Sequence, residues 1–127
     1  MTKSILVGFG GFLGSIARYL AGGAVHRLAE GSAFPYGTLF VNVTGCLAIG
    51  FLAALSEARG VLSPEARVFL MVGVLGGYTT FSSFGYETLQ LVRGGEMLAA
   101  AANVLIQVVV GLGAVWAGAA TARMIWG

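Results

Sequence analysis

The chain has 127 residues, of which 57% are hydrophobic and only 9% are charged, and its mean hydropathy is +0.90. A soluble domain typically carries about 25% charged residues to solvate its surface, so this composition excludes most soluble folds. We therefore expect a small integral membrane protein that forms a single domain over residues 1–127 within a lipid bilayer.

Four apolar stretches are long enough to cross a bilayer as helices. They are residues 4–25, 37–56, 68–92 and 97–122, and their only charged side chains are Arg18 in the first and Glu87 in the third. About 20 helical residues, at a rise of about 1.5 Å each, cross a hydrocarbon core of about 30 Å. The sequence therefore predicts an all-α protein with four transmembrane helices, the first of which is retained rather than cleaved as a signal peptide.

Short polar connections separate these stretches, at residues 26–36, 57–67 and 93–96. Connections this short indicate that consecutive helices are antiparallel neighbours. Ser63 precedes Pro64 and Glu65, which is the pattern of a helix N-cap followed by proline at the first helical position. Helix three is therefore predicted to begin at Pro64.

The basic residues are nearly balanced between the two sides of the membrane. Four spans place Lys3, Arg59, Arg67 and Arg123 on one side, and Arg27, Arg93 and the boundary residue Arg18 on the other. The positive-inside rule needs a clearer bias to fix one orientation, so we expect insertion in both. Because four short helices leave little room for a pathway inside one copy, transport would need a dimer of two oppositely inserted copies.

Polar residues inside spans two and three are not explained by packing alone. Asn42 lies in the first third of span two, one turn after Thr38. A buried amide in lipid is costly unless it is paired, so it faces either a partner helix or a polar pathway. In span three, Gly76 and Gly77 precede a run rich in hydroxyl side chains, which predicts a broken helix. The freed carbonyls would bind a cation or be satisfied by Thr and Ser hydroxyls.

Glycines at a spacing of four residues predict close helix packing in spans one and three. The pairs are Gly10 with Gly14 and Gly73 with Gly77, a spacing that lets two helix backbones approach closely in lipid. The string GFGGFLG at residues 8–14 lacks the spacing and the strand of a dinucleotide-binding turn, so we expect no nucleotide cofactor.

Several other functions are excluded by what the chain lacks. Its basic residues lie singly and form no run, so we expect no nucleic-acid binding despite a pI near 9.0. The single cysteine, Cys46, excludes an intrachain disulfide and a cysteine-based zinc cluster. His26 lies alone in a predicted loop, and no nucleophile and base form a pair, so nothing indicates an enzyme.

Three ordered motifs resemble those of the Fluc family of small fluoride channels. They are GGFLGSIARY, which ends in Arg18 and Tyr19, GTLFVNVTG around Asn42, and GGYTTFSSF followed by Glu87. The resemblance extends over all four spans. The chain departs from the family's usual pattern at Ser83, where Thr is usual, and at Gly85, where Ser is frequent.

The resemblance implies a dual-topology, antiparallel homodimer with helix three broken in mid-membrane and two separate fluoride pores. A structural Na⁺ ion would lie at its centre, held by the backbone carbonyls of Gly76 and Thr79 from both subunits. Phe81 and Phe84 match the family's paired phenylalanines, whose ring edges face fluoride. Because an aromatic ring has a positive edge, such rings attract an anion without trapping it.

The resemblance assigns further residues to the pathway. Asn42 would line the pore, with Thr38 and Ser83 extending the line of hydrogen-bond donors. Asn103 and Gln107 fit the family's polar track on helix four in polarity but not in residue type, and interhelical hydrogen bonding is their alternative role.

Two charged residues complete this expected site. Arg18 matches the arginine that would make the aqueous vestibule electropositive, although snorkelling at a helix end is its alternative. Glu87 would lie near the pore.

The function implied is passive, fluoride-selective export across a prokaryotic plasma membrane. One alternative is a small four-helix, proton-coupled multidrug exporter, which would want a carboxylate in helix one, where this chain has Arg18 and no acid. Another is a membrane assembly subunit that transports nothing, in which Asn42 and the phenylalanines matter only for stability.

Overall fold

The structure is a computed structural model that describes residues 1–126 but not the side chains of residues 58 and 59. Gly127, the end of the predicted domain, and the side chain of Arg59 lie outside the described part. The helices are α1 (Thr2–Leu28), α2 (Tyr36–Arg59), α3 (Pro64–Arg67), a π-helix (Val68–Val74), α4 (Leu75–Tyr78), α5 (Phe81–Arg93) and α6 (Met97–Trp126). No strand occurs among the described residues, so the predicted all-α class is confirmed.

Four of the helical stretches are long and apolar enough to cross a membrane, which confirms the four predicted spans. They are Thr2–Leu28, Tyr36–Glu57, Pro64–Arg93 and Met97–Trp126. Each extends a few residues beyond the apolar stretch that predicted it, because polar residues at the ends of a span still continue the helix. The chain is therefore a multi-pass membrane protein.

Local signals set the ends of the helices around the second connection. α2 ends at Gly60, whose left-handed backbone (φ 56°, ψ 23°) lets its N–H donate to the Ser56 carbonyl at 3.1 Å. The Ser63 hydroxyl accepts a hydrogen bond from the Ala66 N–H at 3.1 Å, with Pro64 at the first helical position. The predicted start of helix three is confirmed.

The third span is not a uniform helix. After α3 the chain forms a π-helix, at whose end the Leu75 N–H donates to the Leu70 carbonyl five residues earlier. Helical geometry stops after Tyr78, because Thr79 (φ −87°, ψ 160°) and Thr80 (φ −151°, ψ 118°) are extended. α5 then begins at Phe81. Two adjacent β-branched threonines favour extended backbone, which explains why the interruption falls there.

Glycine brings helix backbones into contact at two interfaces. A Cβ atom placed on Gly10 of α1 would lie 2.6 Å from the Phe69 carbonyl oxygen and 2.9 Å from Gly73 Cα. The predicted close packing of spans one and three is therefore confirmed. The second interface, between α2 and α6, was not predicted. A Cβ on Gly50 of α2 would overlap the Val115 carbonyl of α6, and one on Gly118 of α6 would overlap the Leu47 carbonyl.

The exterior of the bundle is apolar, and its core is small. Large hydrophobic side chains stand exposed along the helices, among them Phe12, Leu105, Leu112 and Trp116. The buried hydrophobic residues are mostly alanines, together with Val41 and Leu91. This distribution suits a chain whose outside meets lipid or a second subunit rather than water.

Candidate functional site

The side chain of Asn42 on α2 holds the extended segment between α4 and α5. Its Oδ1 accepts from the Thr80 backbone N–H at 2.8 Å, and its Nδ2 donates to the Thr80 carbonyl at 3.0 Å and to Oε1 of Gln107 at 3.1 Å. In an uninterrupted α-helix the Thr80 N–H would instead donate to the Gly76 carbonyl. Asn42 thus replaces helical hydrogen bonds at this peptide and links α2, the extended segment and α6.

Asn42 also lines a cavity of about 360 Å³ beside the interruption. The remaining lining residues are Gly45, Cys46, Ile49, Met71, Leu75, Gly76, Thr79, Thr80, Phe81, Phe84, Gln107 and Val108. The sequence left open whether Asn42 pairs with a partner helix or faces a polar pathway, and in the structure it bonds to Gln107 of α6 and also lines this cavity.

Phe81 and Phe84 form an aromatic part of the wall of this cavity. They lie one turn apart on α5, with ring centroids 5.4 Å apart and ring planes at 58°. Phe81 is 83% exposed, so its ring is not part of the core of a single copy. Phenyl rings and amide groups therefore meet around the same space.

Several carbonyl groups at the interruption lack their α-helical donors, among them those of Gly76 and Thr79. Gly76 loses the Thr80 N–H to Asn42, and Thr79 loses the Ser83 N–H, which donates to the Thr80 hydroxyl at 3.2 Å. The Thr79 carbonyl accepts from Nη1 of Arg18 at 3.3 Å. Arg18 is half-buried and reaches the interruption from α1, so in this structure it contacts the protein backbone.

The freed carbonyls are chemically suited to a hard cation such as Na⁺, which takes oxygen ligands. No group of three or more His, Cys, Asp or Glu side chains that could hold a metal occurs within residues 1–126.

Thr38 and Glu87 meet at a second cavity, of about 500 Å³, next to the first connection. The Thr38 hydroxyl donates to Oε1 of Glu87 at 2.7 Å, whereas Oε2 of Glu87 is buried without a partner. His26 and Glu96 also line this cavity. The Thr38 hydroxyl donates its one hydrogen to Glu87, and this bond holds the carboxyl group in place.

Asn103 and Ser83 make hydrogen bonds to their neighbours and do not line the cavity beside Asn42. Asn103 of α6 is fully buried, and its Nδ2 donates to the Thr88 hydroxyl of α5 at 2.9 Å. The Ser83 hydroxyl accepts from that of Thr80 at 3.1 Å. Asn103 therefore makes the interhelical contact that was its alternative role, whereas Gln107, one turn further, reaches the cavity.

Thr80 is the functional candidate that the sequence analysis missed. It is buried, its two backbone groups bind Asn42, and its hydroxyl caps α5. A threonine directly after the predicted break could have been recognised as the N-cap of the next helix, because an N-cap side chain accepts from the backbone N–H three residues later, here that of Ser83.

These features define a small, all-helical membrane protein whose third span is interrupted beside a cavity lined by amides and phenyl rings. The family model described as "CrcB-like protein, Camphor Resistance (CrcB)" matches residues 5–119. The chain belongs to this family.

Curated relatives match over nearly their whole length. A protein of Nitrobacter winogradskyi is 49% identical over 124 residues, which cover 98% of each chain. One of Rhizobium meliloti is 49% identical over 123 residues, covering 97% of this chain and 98% of the relative. One of Nitratidesulfovibrio vulgaris is 46% identical over 125 residues, covering 98% and 100%. All three carry the name "Fluoride-specific ion channel FluC".

Proposed function

We propose that this chain forms a fluoride-selective channel through which fluoride leaves a prokaryotic cell across its plasma membrane by passive electrodiffusion. The observation that carries the proposal is the cavity in which the hydrogen-bonded pair Asn42 and Gln107 meets Phe81 and Phe84. The names of relatives that cover 97–98% of the chain support the same function.

The chemistry of the cavity suits a small anion. Fixed amide N–H groups replace part of the hydration shell of a small ion better than that of a larger one, which favours fluoride over chloride. The positive edges of phenyl rings attract an anion weakly, so the ion is not retained as it would be by a lysine. Fluoride therefore passes beside Asn42, Gln107, Phe81 and Phe84.

The channel is an antiparallel homodimer with two pores, and the interruption of the third span lies in mid-membrane. The near balance of basic residues and the exposed ring of Phe81 support this arrangement. The carbonyls of Gly76 and Thr79 from both subunits would hold a structural sodium ion. When bound, that ion would supply a fixed positive charge at the interruption.

The remaining polar residues form the approaches to the pore. Arg18, beside the Thr79 carbonyl, makes the vestibule electropositive. Thr38 and Glu87 line the second cavity, where their hydrogen bond fixes the carboxyl group near the path. Ser83 forms a hydrogen bond with Thr80, and Asn103 forms one with Thr88. Both bonds stabilise α5, which contributes to the wall of the pore.

The decisive experiment is reconstitution of the purified protein in liposomes, with efflux followed by a fluoride electrode. We expect rapid fluoride release, negligible chloride release and no requirement for a proton gradient. Equal fluxes of chloride and fluoride contradict a fluoride channel, and flux that depends on a proton gradient indicates a coupled exporter instead. Protein-free liposomes are the control for leakage.

A further inference from the structure

A groove at one end of the bundle brings together two basic side chains that the proposed channel does not use. Its volume is about 330 Å³, and it lies between the first turn of α1 and the first turns of the third span. Lys3 and Arg67 are its charged lining residues, and we call it the basic groove. The other lining residues are Pro64, Val68, Met71 and Val72.

The packing of α1 explains why these two basic residues meet. Gly10 packs against the backbone at Gly73, and Gly14 packs against the backbone at Tyr78, so α1 and the third span run in the same direction. Gly10 follows Lys3 by about two helical turns, so both residues lie on the same face of α1. The side chains of the first turns of both spans are therefore neighbours at this end of the bundle.

The protein does not neutralise these two cations. In the described part of the chain, no hydrogen bond or ion pair involves Lys3 or Arg67, and no acidic side chain lines the groove. The start of α1 has no acidic residue in its first turn and no capping side chain, so its first N–H groups add positive potential. Glu65 is the carboxylate nearest to Arg67 in sequence, and it lies outside the groove. The groove therefore attracts anions.

The floor of the groove is apolar and leads from the end of the span toward its middle. Val68, Met71 and Val72 follow Arg67 on one face of the π-helix. Lys3 and Arg67 lie in the first turns of two helices that are long enough to cross a bilayer, which is the level of the lipid phosphates. An anionic head group with a hydrocarbon chain matches both parts of the groove, whereas a free anion matches only the charges.

We propose that the basic groove binds an anionic phospholipid. Its phosphate contacts Lys3 and Arg67, whose long side chains reach the head-group level, and the first part of an acyl chain packs against Val68, Met71 and Val72. In an antiparallel dimer the two copies place one such site in each leaflet. The bound lipid neutralises two basic groups that have no partner within the described chain.

Two double variants separate this site from general attraction to a basic protein. Lys3→Gln with Arg67→Gln removes both cations of the groove. Arg93→Gln with Arg123→Gln is the matched control, because it removes the same charge at exposed positions outside the groove. The purified proteins, in a neutral detergent, are titrated with phosphatidylglycerol, phosphatidylcholine or inorganic phosphate. The readouts are the Tm and the number of bound lipids seen by native mass spectrometry.

We expect phosphatidylglycerol to raise the Tm of the wild type more than phosphatidylcholine does, because it binds the folded protein. In the groove variant its apparent affinity should fall by about ten-fold or more, since two basic contacts to the phosphate are lost. The control should bind like the wild type. Inorganic phosphate should leave the Tm of all three proteins unchanged, because it cannot use the apolar floor.

Equal weakening in the two double variants would show that net charge, and not the groove, attracts the lipid. A rise in Tm with inorganic phosphate equal to that with phosphatidylglycerol would identify a free-anion site instead. If the groove variant has a lower Tm without lipid and separates into monomers, the groove is an interface between copies and the assignment is wrong. None of these readouts measures fluoride transport, so a failure here leaves the proposed function standing.

Discussion

Among single residues, Asn42 makes the contacts on which the geometry of the interruption depends. Its one side chain pairs with both backbone groups of Thr80 and with Gln107, groups that lie 38 and 65 positions away in the sequence. A buried polar group without a partner is expensive in lipid, where no water replaces the lost hydrogen bond. Asn42 therefore stabilises the extended segment and also holds the Gln107 side chain beside the cavity.

Replacing Asn42 tests that double role. Asn42→Ala leaves the Thr80 N–H and Oε1 of Gln107 without a partner and removes one of the hydrogen bonds to the Thr80 carbonyl. Each unpaired buried group costs about 1–3 kcal/mol, so we expect a clear fall in the free energy of unfolding in detergent together with a strong loss of fluoride efflux. Thr121→Val is the control, since the Thr121 hydroxyl bonds to the Ala117 carbonyl of its own helical turn. Unchanged stability in Asn42→Ala would mean that these hydrogen bonds do not hold the segment.

At the scale of secondary structure, the third span shows what the sequence predicts and what it leaves open. The serine cap before Pro64 and the break after Gly76 and Gly77 are local signals, carried by residues within a few positions of each other. The π-helix Val68–Val74 has no such signal, because its apolar residues suit an α-helix equally well. Its wider turn arises where α1 packs against the backbone at Gly73.

Only part of the cavity was predictable: Asn42, Gln107 and the two phenylalanines line it, whereas other residues predicted for the pore do not. Asn103 and Gln107 lie one turn apart on the same helix, and nothing in the sequence separates them. Only the packing of α6 against α2 and α5 turns Asn103 toward Thr88 and Gln107 toward Asn42. Such a distinction depends on helix rotation, which is set by contacts distant in sequence, such as that of Gly50 with Val115.

The glycine contact between spans one and three yields a matched pair of substitutions on α1. In Gly10→Ala the new Cβ would lie 2.6 Å from the Phe69 carbonyl oxygen, so the helices must move apart. In Gly8→Ala no heavy atom lies within 4 Å of the new Cβ. We expect Gly10→Ala to lower the free energy of unfolding by about 1–3 kcal/mol through overpacking, whereas Gly8→Ala is neutral or slightly stabilising because alanine favours helix. Equal effects of the two variants on denaturation in detergent would contradict the close backbone contact.

For the whole molecule, several features of one copy are incomplete. The cavity beside Asn42 has an exposed phenyl ring in its wall, and large apolar side chains cover the outside of the helices. A second copy related by a twofold axis in the membrane plane would double each of these features. Such a dimer requires both orientations of the chain, which the weak bias of its basic residues allows.

Biasing the insertion of the chain therefore tests the antiparallel dimer. Thr2→Lys with Val61→Lys adds two lysines on the side of the termini, and Leu28→Lys with Met97→Lys adds two lysines on the opposite side, all at exposed positions outside the two cavities. Each double variant should adopt a single, opposite orientation, because lysines near the ends of spans favour the cytoplasmic side. Expressed alone, each should give little fluoride efflux from cells. Expressed together, they should restore efflux, because the two orientations again meet in one dimer.

Labelling of an added loop cysteine verifies that each double variant has a single orientation. Full efflux from either double variant alone would then show that a parallel assembly conducts and that the antiparallel arrangement is wrong.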